Sequence, residues 1–345
     1  MDFSQNKFCQ TFKVDLPLLN APMPGISGID LVSEVCNAGG LGVLPGDFLA
    51  ANDLSRAIDA LRERTDRPFA VNLRVPSARV DQKGEEALEE ALSSVKEDLG
   101  CVGEKFELPD FEAQLKIVIE KKIPVLSVSF GGLREIYLDR VKEAGIRVIG
   151  VATSLLEAKV QKTAGADAIV VQGSEAGGPR LNFEQSDSES LIGLMSLIGP
   201  AARATGLPVV ASGGLMTREQ VEAAFALGAE AVQLGSYFIR AKESLAHPEF
   251  KETLPYIKDS TTRLTRLFDG RLTRVVPNGL LQALEDAQIE ALPYPTQLSV
   301  MKPILDVAIC CDRVDLMEMC AGQGAMLARQ DNVKNLIGRL WSMTR

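Results

Sequence analysis

The feature that most constrains this chain is a join repeated along it: a helix-like stretch, a glycine, then a short apolar run. Asn37-Ala38-Gly39-Gly40-Leu41, Ala144-Gly145-Ile146, Ala164-Gly165-Ala166 and Leu227-Gly228-Ala229 all follow this pattern. Glycine directly after a helix supplies the left-handed cap that ends it at low steric cost. Apolar runs lie at residues 17–22, 41–44, 69–73, 125–130, 147–152, 168–173, 208–214 and 231–236. Runs such as AIVVQG and VIGVA are apolar on both faces, the habit of parallel strands covered by helices. Residues 29–38, 53–64, 133–144, 155–164 and 218–227 carry apolar side chains at helical spacing. Strand and helix in alternation define βα units. Eight strand candidates predict an α/β fold of the (β/α)8 TIM-barrel class, with an open doubly wound sheet as the alternative.

Length then matters. The chain has 345 residues, and a (β/α)8 barrel takes about 250. The expected division is a barrel over residues 1–247 and a mostly helical lobe over 248–345, packed on the barrel or over its mouth. Residues 76–107, with a charged helical segment at 81–100, read as an insertion after the third strand. Pro255, Pro277, Pro293, Pro295 and Pro303 are expected to break the C-terminal lobe into short helices.

A formal net charge of −9 argues against nucleic acid or an anionic membrane as partner. No run approaches the ~20 apolar residues needed to cross a bilayer, and the amino terminus lacks a signal-peptide apolar core. Six cysteines form no Cys-x-x-Cys pair, which points to a reduced, cytoplasmic setting. One histidine and scattered cysteines predict no metal site.

Chemistry-bearing residues gather at the predicted strand ends. Ser212-Gly213-Gly214 ends the seventh strand and Gly235-Ser236 the eighth. Barrels often bind phosphate after those two strands, where backbone N–H groups converge and a side chain would obstruct them. A plain tight turn is the other reading of Gly213-Gly214. Ala21-Pro22-Met23, Asn72 and Gln172 end the first, third and sixth strands. Singly, Asn72 or Gln172 reads as a loop anchor. Together they suggest a polar ring around one mouth, suited to an aromatic ligand with hydrogen-bonding edges.

NAPMPGISGIDLVSEVCNAGGLGVL, RPFAVNLRVP, IGVATSLLEAKVQKTAGADAIVVQGSEAGG, VVASGG, AEAVQLGSYFIRAKES and AGQGAMLAR resemble the nitronate monooxygenase family, formerly called 2-nitropropane dioxygenases, in order and spacing. The likeness covers roughly residues 17–75 and 124–330, and the fold's relatives include flavin-dependent enoyl-acyl-carrier-protein reductases. The resemblance implies an FMN cofactor. It would put Ala21, Pro22 and Met23 against the flavin ring, with Asn72 and Gln172 hydrogen-bonding it. Gly177 and Gly178 would line the pocket, and Ser212, Gly213, Gly214, Gly235 and Ser236 would hold the phosphate. It would place Tyr294 and Lys302 near the pocket mouth and give Gln323 a part in closing it.

One departure stands out. Where well-studied family members carry a histidine after Glu-Ala-Gly-Gly, this chain has Pro179, which cannot ionise. Arg180 either supplies part of the missing charge or is a solvated loop residue, and His247 reads as an exposed residue beside a proline. No catalytic residue is assigned. The implied activity is oxidation of alkyl nitronates with O2, neutral nitroalkanes being disfavoured because their carbon-bound proton needs a base. The alternatives are an NAD(P)H-dependent flavin reductase acting on an enoyl thioester or quinone, and a non-catalytic flavin-binding subunit. Each implies a small-molecule ligand, with O2 or NAD(P)H as co-substrate of the two enzymes.

Overall fold

The computed structural model describes residues 3–76, 85–100 and 102–341. Each of the eight apolar runs forms a strand: Leu18–Asn20, Gly42–Pro45, Phe69–Arg74, Val125–Ser129, Arg147–Ala152, Ala168–Gln172, Val209–Ser212 and Ala231–Leu234. They make one parallel sheet in which chain neighbours are sheet neighbours. The first strand pairs with the eighth, Leu18 opposite Val232, and a parallel bridge from Leu19 to Leu41 joins the first strand to the second. The ring therefore closes as a (β/α)8 barrel, and the open-sheet alternative falls.

Closure at the seam uses a side chain. The first strand has only three residues, too few for a full ladder on both sides. Asn20 supplies the missing rungs: its Nδ2 donates to the Val43 carbonyl at 2.9 Å, and its Oδ1 accepts from the Val43 N–H at 2.8 Å.

Alternation along each strand sorts the side chains. Outward residues such as Val71, Leu126, Val171 and Val232 pack against the helices. Inward residues, among them Leu19, Val43, Ala70, Val125, Val151, Val170, Val210 and Ala231, fill the barrel, and Phe8 and Phe12 join them from the helix Lys7–Phe12. The interior is thus a packed plug. The join glycines Gly39, Gly145, Gly165 and Gly228 all have positive φ, as helix-ending caps require.

The insertion holds helices Glu85–Ala91 and Ser93–Leu99; the rest of the charged segment, 81–84, lies outside the described residues. The C-terminal part departs from expectation in two ways. Pro303 sits inside the helix Thr296–Cys310 instead of ending it. A proline there frees the carbonyl of Ser299, four residues back, and the Phe106 N–H takes that carbonyl at 2.9 Å. Short strands Arg263–Thr265 and Thr273–Val275 also appear, pairing antiparallel with each other and with Gly178–Pro179. Among the described residues no helix is long and apolar enough to cross a membrane.

Asn20→Leu tests the seam. It strands the Val43 N–H and carbonyl without partners in a buried position. At about 1–3 kcal/mol per stranded group, stability should fall by about 2–6 kcal/mol, read from urea unfolding. A variant as stable as wild type would show that the ring closes without the amide.

Candidate functional site

Above the plug, the same alternation points polar residues into the mouth at the C-terminal strand ends. Ala70 faces the interior, so Asn72 and Arg74 project from the same face of that strand. By the same parity Ser127, Ser129, Gln172, Ser212 and Gln233 face inward, all of them buried.

The expected cradle residues come together on one side. Ser212 pairs with Gln233, which sets Gly213-Gly214 beside Gly235-Ser236 on the neighbouring strand. Gly213 and Gly214 have φ of +129° and +65°. A Cβ on Gly213 would lie 3.3 Å from the Ala176 nitrogen, and one on Gly235 would lie 3.5 Å from Ala21 Cβ and 3.6 Å from Met23 Sδ. Among the described residues, the N–H groups of Gly213, Gly214 and Gly235 donate to no protein acceptor. Residues 321–324 lie over this patch: a Cβ on Gly177 would meet Gly322 N at 2.5 Å, Gly322 N donates to Ser236 Oγ at 2.9 Å, and Gln323 N donates to the Glu175 carbonyl at 2.9 Å.

Asn72 donates to Ser127 Oγ at 3.2 Å, and among the described residues its own oxygen has no protein partner. Gln172 is engaged with the loop after its strand. Its Nε2 donates to the Pro179 carbonyl at 3.0 Å and its Oε1 accepts from Leu181 N at 3.1 Å. Pro179 stands opposite Thr273 in the small sheet, while Gly178, at φ +78°, has open space where a side chain would go.

Arg180 is neither solvated nor free. It is 1% exposed, and its two terminal nitrogens donate to the carbonyls of Gly173, Gln172 and Ser190 at 2.7, 3.1 and 2.6 Å. Burial pulls its pKa down to about 10. It clamps the loop, which corrects the expectation of a solvated residue and occupies the donors a substrate anion would use. His247 caps the helix Pro248–Thr253 and contacts Asp312 at 2.8 Å. Lys302 is held by Asp306 at 2.6 Å and lies over the Phe48 and Phe106 rings.

Across the mouth from the cradle lies a cluster of which sequence reading had only Tyr294. Arg74 (11% exposed) contacts Asp47 at 3.4 Å. Its guanidinium carbon is 4.3 Å from the Phe130 ring centroid and 4.8 Å from that of Tyr294. Arg271 lies 3.8 and 4.3 Å from the same two rings. Burial first, and then the Arg74 charge, lowers the Arg271 pKa to about 10, so it stays a cation at neutral pH. For Arg74 burial works against the charge, but Asp47 and its other neighbours hold the pKa above the usual value. One signal for Arg74 was available: it follows Asn72 at the two-residue spacing of one strand face. Arg271 had none, because it arrives from a turn some 200 residues away.

The chain aligns with the nitronate monooxygenase family model over residues 5–342. It belongs to that family. A probable nitronate monooxygenase of Bacillus subtilis (strain 168) is 34% identical, covering 97% of this chain and 98% of that protein. Another from Staphylococcus aureus (strain JH9) is 32% identical, over 94% and 93%. Among solved structures, nitroalkane oxidase from Streptomyces ansochromogenes superposes with a TM-score of 0.88 at 32% identity, over 97% of this chain and 96% of that one. FabK from Thermotoga maritima gives 0.77 at 27% identity, over 97% and 94%. This nitronate monooxygenase family member is accordingly an oxidoreductase.

Beside the arginine cluster, burial and then the Asp269 carboxylate push Glu318 up to about 7. The sign follows. A carboxyl whose folded pKa is raised favours the protonated state, so its effect on stability worsens from about pH 4.5 to about pH 7 and then levels off. Glu318→Gln removes that loss. Its melting temperature relative to wild type should be higher at pH 8 than at pH 5; a difference independent of pH would mean that Glu318 titrates normally.

Proposed function

We propose that this protein is an FMN-dependent oxidoreductase that oxidises alkyl nitronates with O2. The observation that carries the reading is the cradle, with backbone N–H groups at adjacent strand ends that donate to no acceptor among the described residues. The residues fit FMN: Gly213, Gly214, Gly235 and Ser236 for its phosphate, Ala21, Pro22, Met23, Gly177 and Gly178 as walls, and Asn72, Gln172 and Ser212 as polar partners. When bound, FMN supplies the electron transfer between substrate and O2.

The chain's own contribution is binding and exclusion. Pro179 offers no base where the family resemblance implies a histidine, so a neutral nitroalkane finds no proton acceptor at that position. A nitronate has already lost that proton. Arg74 and Arg271 make the mouth attractive to an anion, and residues 321–324 cover the cradle. A cytoplasmic location belongs to the same reading, supported by the free thiols of Cys9, Cys36, Cys310, Cys311 and Cys320. A second reading, an NAD(P)H-dependent flavin reductase for an enoyl thioester or quinone, draws support from the likeness to FabK. Rapid anaerobic bleaching of the flavin by NADH or NADPH favours it over the first.

Two outcomes test the proposal. Denaturation should release FMN, and Gly214→Asp, which sets a carboxylate in the cradle, should weaken FMN binding at least tenfold, about 1.4 kcal/mol, with an unchanged far-UV spectrum. Release of FAD, or undiminished affinity, places the phosphate elsewhere. In oxygen-uptake assays, preformed propyl-2-nitronate should react at least about a hundredfold faster than neutral 2-nitropropane, since a positioned base is worth about 10²–10⁴-fold. Comparable rates would reveal a base elsewhere in the mouth.

A further inference from the structure

We infer that Arg271, backed by Arg74 and flanked by Phe130 and Tyr294, is the seat of a small planar two-oxygen anion, a carboxylate or a nitronate. The nitronate identity rests on the function proposed above; the seat does not.

The first observation is an unmatched cation. Among the described residues the Arg271 guanidinium donates to no protein acceptor and forms no ion pair; only its backbone groups are hydrogen-bonded, to Asp269 and Thr273. Arg74 has Asp47 beside it, and the neighbouring Asp269 spends one oxygen on the Arg271 N–H and the Thr273 hydroxyl.

Geometry supplies the second. The Phe130 and Tyr294 rings are near parallel, 13° apart in plane, with centroids 6.3 Å apart. The two guanidinium carbons lie 3.8–4.8 Å from both centroids, so both arginines pack against the same pair of rings. An arginine stacked on an aromatic face keeps its N–H edge for a ligand in the guanidinium plane. A planar pair of oxygens matches that edge with two parallel hydrogen bonds.

Polarity points the same way. Nine buried side-chain polar atoms have no protein partner among the described residues, and five of them belong here: Asp47 Oδ1, Arg74 Nη1, Ser129 Oγ, Arg271 Nε and Tyr294 Oη. Arg74 Nη1 and Arg271 Nε can only donate, and the Ser129 and Tyr294 hydroxyls can do so too, so a ligand bearing acceptor oxygens finds donors here. The backbone is bent to build it. Phe130 adopts φ +64°, unusual for a bulky residue. Gly270, at φ +85°, brings Arg271 beside Tyr294 through a turn so close that a Cβ would lie 2.6 Å from Tyr294 N.

The test titrates the purified protein calorimetrically with propionate, an unreactive mimic of a short nitronate. Saturable binding is expected, at least tenfold weaker in Arg271→Gln, with Arg271→Lys between the two because it keeps the charge and loses the planar fork. Melting curves confirm folding, and if Arg271→Gln fails to fold the lysine variant carries the comparison. With propyl-2-nitronate, KM should rise by a larger factor than kcat falls. No propionate binding by wild type, or undiminished binding by the variants, overturns the seat. Displacement of propionate by inorganic phosphate or NADPH at lower concentration overturns it too, reassigning the cluster to a nucleotide phosphate. Propionate binding that depends on Arg271 in a protein that leaves nitronates untouched supports the seat and sinks only the proposed activity.

Discussion

The molecule depends on ring closure. Once the first strand is tied to both the eighth and the second, the two-residue alternation of every strand has one meaning around the whole circle. Lower inward positions are apolar and meet Phe8 and Phe12 from below; upper inward positions are polar and define a mouth. The tie itself is slender, a three-residue strand completed by the Asn20 amide.

The barrel alone does not complete that mouth. On the side of the sixth to eighth strands, Gly213, Gly214 and Gly235 cluster at the strand ends, and the C-terminal residues 321–324 lie across them. On the side of the second to fourth strands, Asp47, Arg74 and Phe130 meet Arg271 and Tyr294 from the same C-terminal part. Arg180 links the two parts. It is buried without a carboxylate partner, yet its three bonds to carbonyls fix the loop that pairs with strand Thr273–Val275. A charge so buried is tolerated because both terminal nitrogens are satisfied by carbonyl dipoles.

Much of this was legible beforehand. All eight barrel strands follow from apolar runs between glycine-capped helices, because burial on both faces leaves a local signature. That the glycines beside Ser212 and Ser236 would meet was legible because barrels bring neighbouring strand ends together. The strands flanking the Gly270 turn were not, since three-residue strands carry almost no periodicity. Nor was the continuity of the helix through Pro303, whose freed carbonyl is satisfied by Phe106 from the distant insertion.

By itself, then, the sequence determined the barrel, the positions of its strand ends and the residues available there, because these depend on spacing and burial within short windows. Tertiary structure decided what those residues face. It turned Arg180 from a candidate anion partner into a buried clamp, and engaged Gln172 with the loop at Pro179 and Leu181. It also set Arg271 beside Arg74 against the same two aromatic rings. Which groups satisfy one another is a matter of contacts between segments far apart in the chain, and no local pattern records them.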